Sequence, residues 1–343
     1  METRKIDVSV VIPCRNEKKY ISKCLDSFLN QNYSKELYEI LVCDGMSDDG
    51  TRDIIREYEA KYANVHLVDN KGLTAPKAMN EGIRYSKAKS IIIFGAHAYA
   101  DSNFIKNNMK LLYRNDEIGC VGGTLETISE NDKGKAIALA MSSPFGVGNA
   151  LFRYAAEEMY VDTVAFGGYK REVLDDIGYF DDELVRNQDD EINFRVTKGG
   201  YKILLTPEIK ATYYSRGSFK KLWRQYFQYG FWKVRVMQKH GRTPSVRHLV
   251  PMAFVLGNIG AAILSFLFKP IFYIWMVVLG LYIIGDLVSS LKLTKGKRKL
   301  LKYIPIVFPI LHFSYGIGFL DGLINFYLLK SNKKIDKNMK TSR

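Results

Sequence analysis

Two apolar runs, Leu249–Phe268 and Ile271–Leu291, limit what this chain can fold into more than any other feature. Each holds about 20 residues, which at about 1.5 Å of rise per residue is enough to cross roughly 30 Å of hydrocarbon. Lys269-Pro270 between them leaves room only for a tight hairpin. The next loop, KLTKGKRK, is basic and is expected on the cytosolic side. A third apolar stretch, about Tyr303 to Leu329, holds Pro305, Pro309, several glycines, His312 and Asp321, and its tail KSNKKIDKNMK is basic again. Basic flanks at both ends favour a re-entrant or interfacial hairpin here over a third crossing. Residues 246–330 are therefore read as a transmembrane hairpin plus this re-entrant or third membrane segment, and 331–343 as a basic tail.

Charge divides the chain in the same place. Its 50 Lys and Arg against 36 acids leave +14, mostly after Lys210, which calls for an anionic partner such as a membrane surface or a nucleic acid. Residues 216–245 contain FKKLWRQYFQYGFWKVRVMQKH, amphipathic, basic and aromatic. That suits an interfacial helix with rings at headgroup level, or an ordinary packed helix with snorkelling basic residues. The bilayer-length runs that follow argue against nucleic acid. Cys14, Cys24, Cys43 and Cys120 show no paired spacing, so neither a disulfide framework nor a zinc site is expected.

Residues 1–215 read differently. The apolar runs Val8–Pro13, Glu39–Asp44, Val65–Val68 and Ser90–Phe94 alternate with helical patterns at about Lys18–Leu29, from DGMSDDGT to Tyr62, and Lys77–Ser86. Asp101 or Ser102 is expected to cap a fourth helix. The alternation predicts a doubly wound α/β sheet with ligands at the strand C-terminal ends. Residues 123–165, with the glycine-rich SSPFGVGN, are expected to form a substrate loop or lid. The first strand is not followed by GxGxxG, which argues against a dinucleotide dehydrogenase, and no GxxxxGK[ST] occurs, so this is not a P-loop enzyme.

The stretch VRNQDDEINFRVTKGGY places Asp189, Asp190 and Glu191 side by side. Three adjacent acids suit a pocket where a carboxylate takes a proton, and equally a helix start favoured by the macrodipole.

SVVIPCRNE, ILVCDGMSDDGT, NKGLTAPKAMNEGI, IIIFGAHAYAD, FGGYKREVLDDIGYFDDEL and NQDDEINFRVTKGGYKI together resemble an inverting glycosyltransferase of family 2 over roughly 7–215. AHAYAD, NQDDE, RQYFQYG and HFSYGIGFLDG are similar, more narrowly, to the succinoglycan-type glucosyltransferases of exopolysaccharide assembly. The resemblance implies a GT-A-like mixed sheet, with a membrane-associated helical region after it. It implies a nucleotide-sugar donor, a UDP-sugar by expectation, and a polyprenyl-diphosphate-linked acceptor at a bacterial inner membrane, with the catalytic domain cytoplasmic. Pro13, Glu17, Asp44, Lys77 and Asn80 would line the donor pocket, although Met79 stands where an arginine is usual. Asp189 would be the general base, with Asp190 as fallback. Gly168, Lys170, Arg224, Gln228 and Trp232 would meet the acceptor or the diphosphate; Phe231 replaces the arginine of the QxxRW element of processive synthases. The metal-binding Asp-x-Asp or Asp-x-His reads Gly95-Ala96-His97, which leaves His97 as the ligand and weakens the expected dependence on Mn²⁺ or Mg²⁺. A non-catalytic nucleotide-sugar-binding component and a processive synthase remain the alternatives.

Overall fold

The computed structural model describes residues 6–215, 217–241 and 246–329; the basic tail 331–343 lies outside the described residues. In chain order the elements are β1 (Val8–Cys14), α1 (Ile21–Leu29), β2 (Tyr38–Asp44), α2 (Thr51–Lys61), β3 (Val65–Asp69), α3 (Ala75–Tyr85) and β4 (Ser90–Ile93). Then come β5 (Ala98–Ala100), α4 (Phe104–Leu112), β6 (Ile118–Ile128), α5 (Asp132–Met141), α6 (Pro144–Val147), β7 (Met159–Val161), β8 (Gly168–Lys170), α7 (Arg171–Ile177), α8 (Gln188–Lys198) and β9 (Lys202–Tyr214). The C-terminal helices are α9 (Phe219–His240), α10 (Val250–Ser265), α11 (Lys269–Leu293) and α12 (Ile304–Leu323). The chain forms two compact units, one of Met1–Glu126 with Leu151–Tyr214 and one of Thr127–Ala150 with everything from Ser215 on.

The first unit is a mixed sheet in the order β3-β2-β1-β4-β8-β6-β9-β5, with β7 added beside β9. β1, β2, β3 and β4 run parallel, and β8 turns antiparallel against β4. Strands buried on both faces need near-continuous apolar sequence, and side chains two apart share a face. Val8, Val10 and Ile12 accordingly join α1 and α4 in one core layer. Val11, Leu41 and Cys43 join α3, α7 and α8 in the other. Ile21, Leu25, Phe28 and Leu29 are the buried face of α1, as their spacing predicts. All four cysteines are buried and none forms a disulfide, and burial pushes the thiols of Cys24, Cys43 and Cys120 up.

The loop expected over 123–165 is mostly regular structure. β6 continues to Ile128, and α5 packs Ala136, Ile137, Ala140 and Met141 on Leu222, Tyr226, Ile304, Val307 and Phe308 of the second unit. Ala136, Ala138 and Ala140 alternate with its larger apolar residues and Gly134 sits in its first turn, which hides the helical period. Neither Asp101 nor Ser102 is the N-cap of α4; Asn103 is, and Asp101 accepts the Asn103 N–H one step earlier.

In the second unit α10 and α11 expose apolar side chains nearly all round, up to Phe266 at 91%. The expected re-entrant hairpin is absent: Ile304–Leu329 is one helical run, ending in a π-helical turn. Gly316, Gly318 and Gly322 sit where a Cβ would meet neighbouring backbone, Pro305 lies in the first turn, and Pro309 lies inside the helix. Three helices, Val246–Ser265, Lys269–Leu293 and Ile304–Leu329, are long and apolar enough to cross a membrane. α9 lies alongside α12 in the same direction, with Phe219 near Tyr303 at one end and Phe231 near Phe326 at the other. It is a packed helix: Trp232 is fully buried, and of its two tryptophans only Trp223 is exposed.

Gly230 makes that seam possible, because a Cβ there would lie 2.0 Å from the Tyr315 carbonyl oxygen. Gly230→Ala gains about 1 kcal/mol of helix propensity, but backbone must move, typically at about 1–3 kcal/mol. The clash wins, so the variant is expected to melt at lower temperature in detergent. Gly257→Ala, whose Cβ meets nothing within 4 Å, should melt no lower than wild type.

Candidate active site

The site is built at the strand ends. β1 has β2 on one side and β4 on the other, both parallel, so chain order reverses at β1, and in open α/β sheets the crevice that takes the ligand lies beyond the C-terminal strand ends at such a point. Val11 accepts the Phe94 N–H on the β4 side. Pro13, two residues on, faces the same side past the last β4 pair, where its missing N–H costs nothing.

The loops after β1 and β2 are bonded to each other. Asn16 and Asp48 exchange two hydrogen bonds (3.0 and 3.1 Å), Glu17 N–H donates to Thr51 Oγ1 at 2.9 Å, and Lys18 N–H donates to Asp49. Burial pulls the Asp49 carboxyl up, yet its bonds from Thr51 and Lys18 outweigh that and hold it below the usual range. Asp44, closing β2, is wholly buried; it accepts Ser47 N–H at 2.9 Å and Arg52 Nη1 at 2.8 Å. Ser47 and Arg52 thus cover the carboxylate from the protein side.

Among the described residues five non-glycine residues have positive φ: Asn16, Met46, Leu73, Phe166 and Asn187. The first three follow β1, β2 and β3, Phe166 precedes β8, and Asn187 precedes α8. Such conformations cost of order 1–3 kcal/mol each and cluster where geometry is functional. Here they gather on the crevice and the acidic helix.

At the end of β4 the ring of Phe166 packs on Phe94 at 4.5 Å and reaches Gly95, where a Cβ would stand 3.0 Å from it. An aromatic ring thus takes the room a side chain at 95 would need. His97 Nδ1 lies 3.8 Å from Glu17 Oε1, and its ring stands edge-on to Tyr213.

The acidic stretch forms the first turn of α8, with Asp189, Asp190 and Glu191 after the left-handed Asn187. Asp189 is exposed, Asp190 half-buried and Glu191 buried. Asn193, one turn beyond Asp189 on the same face, donates to Thr163 Oγ1 and the Val164 carbonyl and accepts from Tyr169. Burial pushes the Tyr169 hydroxyl far up, so it stays a donor. Arg195 pairs with Glu191 through Nε and Nη2, both at 2.8 Å, and donates to the carbonyls of Ile177, Gly178 and Tyr179. All five of its N–H groups are used. Asp189 is thereby presented from a rigid helix end beside the segment leading to Phe166.

Other expected site residues lie elsewhere. Lys77 folds over Gly72 next to the strained Leu73. Asn80 is buried, donating to the Phe180 carbonyl and Asp182 and accepting the Phe180 N–H. Gly168 is buried where a Cβ would meet Asn108. Lys170 pairs with Ser90, at the opposite sheet end, and its ammonium caps the Asn115 and Asp116 carbonyls. It cannot reach a diphosphate at the crevice. Arg224, Gln228 and Trp232 belong to the second unit, with Arg224 exposed and the other two buried. Sequence reasoning missed Arg52, Phe166 and Asn193, which carry no local signature.

The profile described as Glycosyl transferase family 2 matches residues 9–178. Over 325 residues the chain is 33% identical to the dolichyl N-acetyl-alpha-D-glucosaminyl phosphate 3-beta-D-2,3-diacetamido-2,3-dideoxy-beta-D-glucuronosyltransferase of Methanococcus voltae, covering 92% of this chain and 97% of that one. The chain belongs to glycosyl transferase family 2. The succinoglycan biosynthesis protein ExoA of Rhizobium meliloti (strain 1021) is 25% identical over 92% of this chain and 95% of its own. In fold, this family 2 glycosyltransferase is similar to the mannosyltransferase PcManGT of Pyrobaculum calidifontis, solved with GDP-Man and Mn²⁺, at a TM-score of 0.63 and 18% identity. That likeness covers 95% of this chain and 88% of the other.

Proposed function

We propose that this glycosyltransferase moves a sugar from a nucleotide-sugar donor, a UDP-sugar, to a lipid-linked acceptor with inversion, in the assembly of a cell-surface glycan. The observation that carries the reading is Asp189, exposed at the start of α8 and held there by Asn193 and Arg195. Asp189 takes the proton of the acceptor hydroxyl as it attacks the anomeric carbon, and Asp190 supports it. Pro13, Glu17 and Lys77 line the donor side. The Methanococcus voltae relative is named for a dolichyl-linked acceptor, which supports a polyprenyl carrier here.

A divalent metal fits only a sparse set of protein donors. Among the described residues no three His, Cys, Asp or Glu side chains gather to hold one, and His97 with Glu17 is the pair at the crevice. Mg²⁺ is commonly bound by one or two carboxylates plus substrate phosphates, so Glu17 would be the main protein ligand, with His97 beside it. The ion would neutralise charge on the leaving diphosphate. Of the three α9 residues, the exposed Arg224 is the one available to an anionic ligand.

α10 and α11 cross the bilayer as a hairpin, and the basic loop at 292–302 returns the chain to the cytoplasmic face of the plasma membrane, a bacterial inner membrane. Membrane lipids therefore cover the exposed apolar faces. The test is incubation of membranes carrying the protein with a panel of nucleotide sugars, with and without Mn²⁺ or Mg²⁺. Release of one nucleoside diphosphate and labelling of a lipid fraction are expected. Donor binding without release under any metal would reduce the protein to a binding component.

A further inference from the structure

α9 and α12 run side by side in one direction, and that ties the ends of one to the ends of the other. Phe219 stands 6.3 Å from Tyr303 between ring centres, a Cβ on Gly318 would meet the Phe227 carbonyl oxygen, and Gln238 Nε2 donates to the Phe326 carbonyl at 3.1 Å. If one helix keeps both ends on one side of a bilayer, so does the other.

The chain between them returns to the side it left. α10 and α11 are antiparallel, with Trp275 donating to Asn258 at 3.0 Å and Phe254 stacked on Tyr282. Whatever α10 crosses, α11 crosses back. The links GRTPSVRHL before α10 and TKGKRKLLKY after α11 are basic, and neither charge nor lipid-exposed irregular backbone belongs in hydrocarbon. His240, ending α9, and Tyr303, preceding α12, therefore lie on one side, and Phe219 lies beside Tyr303. Both ends of α9 are then on that side. α9 does not cross, and α12, held along it, does not cross either.

A second contact agrees. A Cβ on Gly316, in the middle of the third apolar run, would lie 2.4 Å from the carbonyl oxygen of Pro251 in the first turn of α10, and Phe254 packs on Phe313. A crossing α12 would hold Pro251, and Arg247 just before it, near the bilayer midplane, where charge is costly.

The face that α12 leaves uncovered is one apolar stripe. Ile306, Ile317 and Ile324 are exposed and Ile310, Phe313 and Leu320 half-buried, spaced three or four residues apart along a single face. At the start of α9, Trp223 is exposed beside Lys220, Lys221 and Arg224, a mixture of ring and basic groups that sits at headgroup level.

We infer that α9 and α12 lie paired along the cytoplasmic surface of the membrane, with the α12 stripe sunk into the lipid of that leaflet, and that only α10 and α11 cross. This rests on the reading that the hairpin enters the bilayer from the cytoplasmic side. It makes the third apolar stretch a lipid-docking face in place of a third crossing.

The test places single nitroxide labels on the full chain in lipid vesicles at Ile306→Cys, Ile317→Cys or Ile324→Cys; the four native cysteines are buried. Label depth, read from relaxation by oxygen against a water-soluble nickel chelate, is expected to be alike at the three sites, about 5–10 Å below the headgroup boundary. Positions 306 and 324 stand about 27 Å apart along a helix, so a crossing would put 317 near the midplane and the other two toward opposite faces. That gradient overturns the inference. A membrane-impermeant maleimide on intact cells separates it from the hairpin reading. Phe266→Cys, at the exposed hairpin tip, should label from outside, and Ser342→Cys only after permeabilisation. Labelling at 342 in intact cells overturns the inference and leaves the hairpin standing. Labelling at 266 only after permeabilisation overturns the hairpin crossing, while equal depths at 306, 317 and 324 still support α12 at the surface.

Discussion

Asp189→Asn is expected to cut sugar transfer by about 10²–10⁴, the usual worth of a positioned general base, while nucleoside diphosphate affinity stays near wild type. The amide keeps the size of the carboxylate and some of its hydrogen bonding but cannot take a proton. α8 should remain intact, because its anchors are Asn193 and Arg195, neither of which bonds to Asp189 in the contacts described above. Asp190→Asn should cost less, since Asp190 is the more buried of the two. Single-turnover assays with labelled donor, alongside calorimetry, separate chemistry from binding. Transfer surviving near wild type in Asp189→Asn would sink the assignment, and a larger loss in Asp190→Asn would pass the role to its neighbour.

Arg195→Gln should be the most destabilising single change near the site. Glu191 is buried, its side chain 3% exposed, and its guanidinium partner sits at 2.8 Å. Removing one member of such a pair typically costs about 3–5 kcal/mol, because the other charge stays in a poor environment. Three carbonyls, Ile177, Gly178 and Tyr179, lose their donor as well. A melting temperature lower by roughly 6–20 °C is expected in detergent. Arg195→Lys should recover little, since an ammonium has three donors and no planar fork. The loop 177–179 would loosen with the helix, so transfer should fall with stability. A variant melting like wild type would show that the clamp adds nothing.

Much of the fold was legible because burial on two faces writes itself into sequence. Val8–Cys14 and Tyr38–Asp44 are apolar runs with one possible use, and the periodicity of Ile21, Leu25 and Phe28 points a helix at them. α5 was not legible, because Ala136, Ala140 and Gly134 carry little hydrophobic signal and bury themselves against helices far away in sequence. Asn80, Gly168 and Lys170 lay inside motifs, and motif membership does not say which way a side chain points. Their contacts do: a loop bracket, a sheet interior and a carbonyl cap.

The sequence alone determined that a two-faced α/β sheet precedes bilayer-length helices, that acids stand side by side at 189 and 190, and that position 95 lacks a carboxylate. Those are local facts of pattern and residue identity. Tertiary structure alone decided that Asp44 is sealed behind Arg52 and Ser47 and that Phe166 fills the space at Gly95. It also decided that Trp232 packs inside the helices and that residues 304–329 form one continuous helical run. Each depends on what is brought across the chain to cover a residue, and burial of that kind is a property of neighbours distant in sequence. The acids at 189 and 190 could be counted from the chain; the helix end that holds them could be seen only once Asn193 and Arg195 had found their partners.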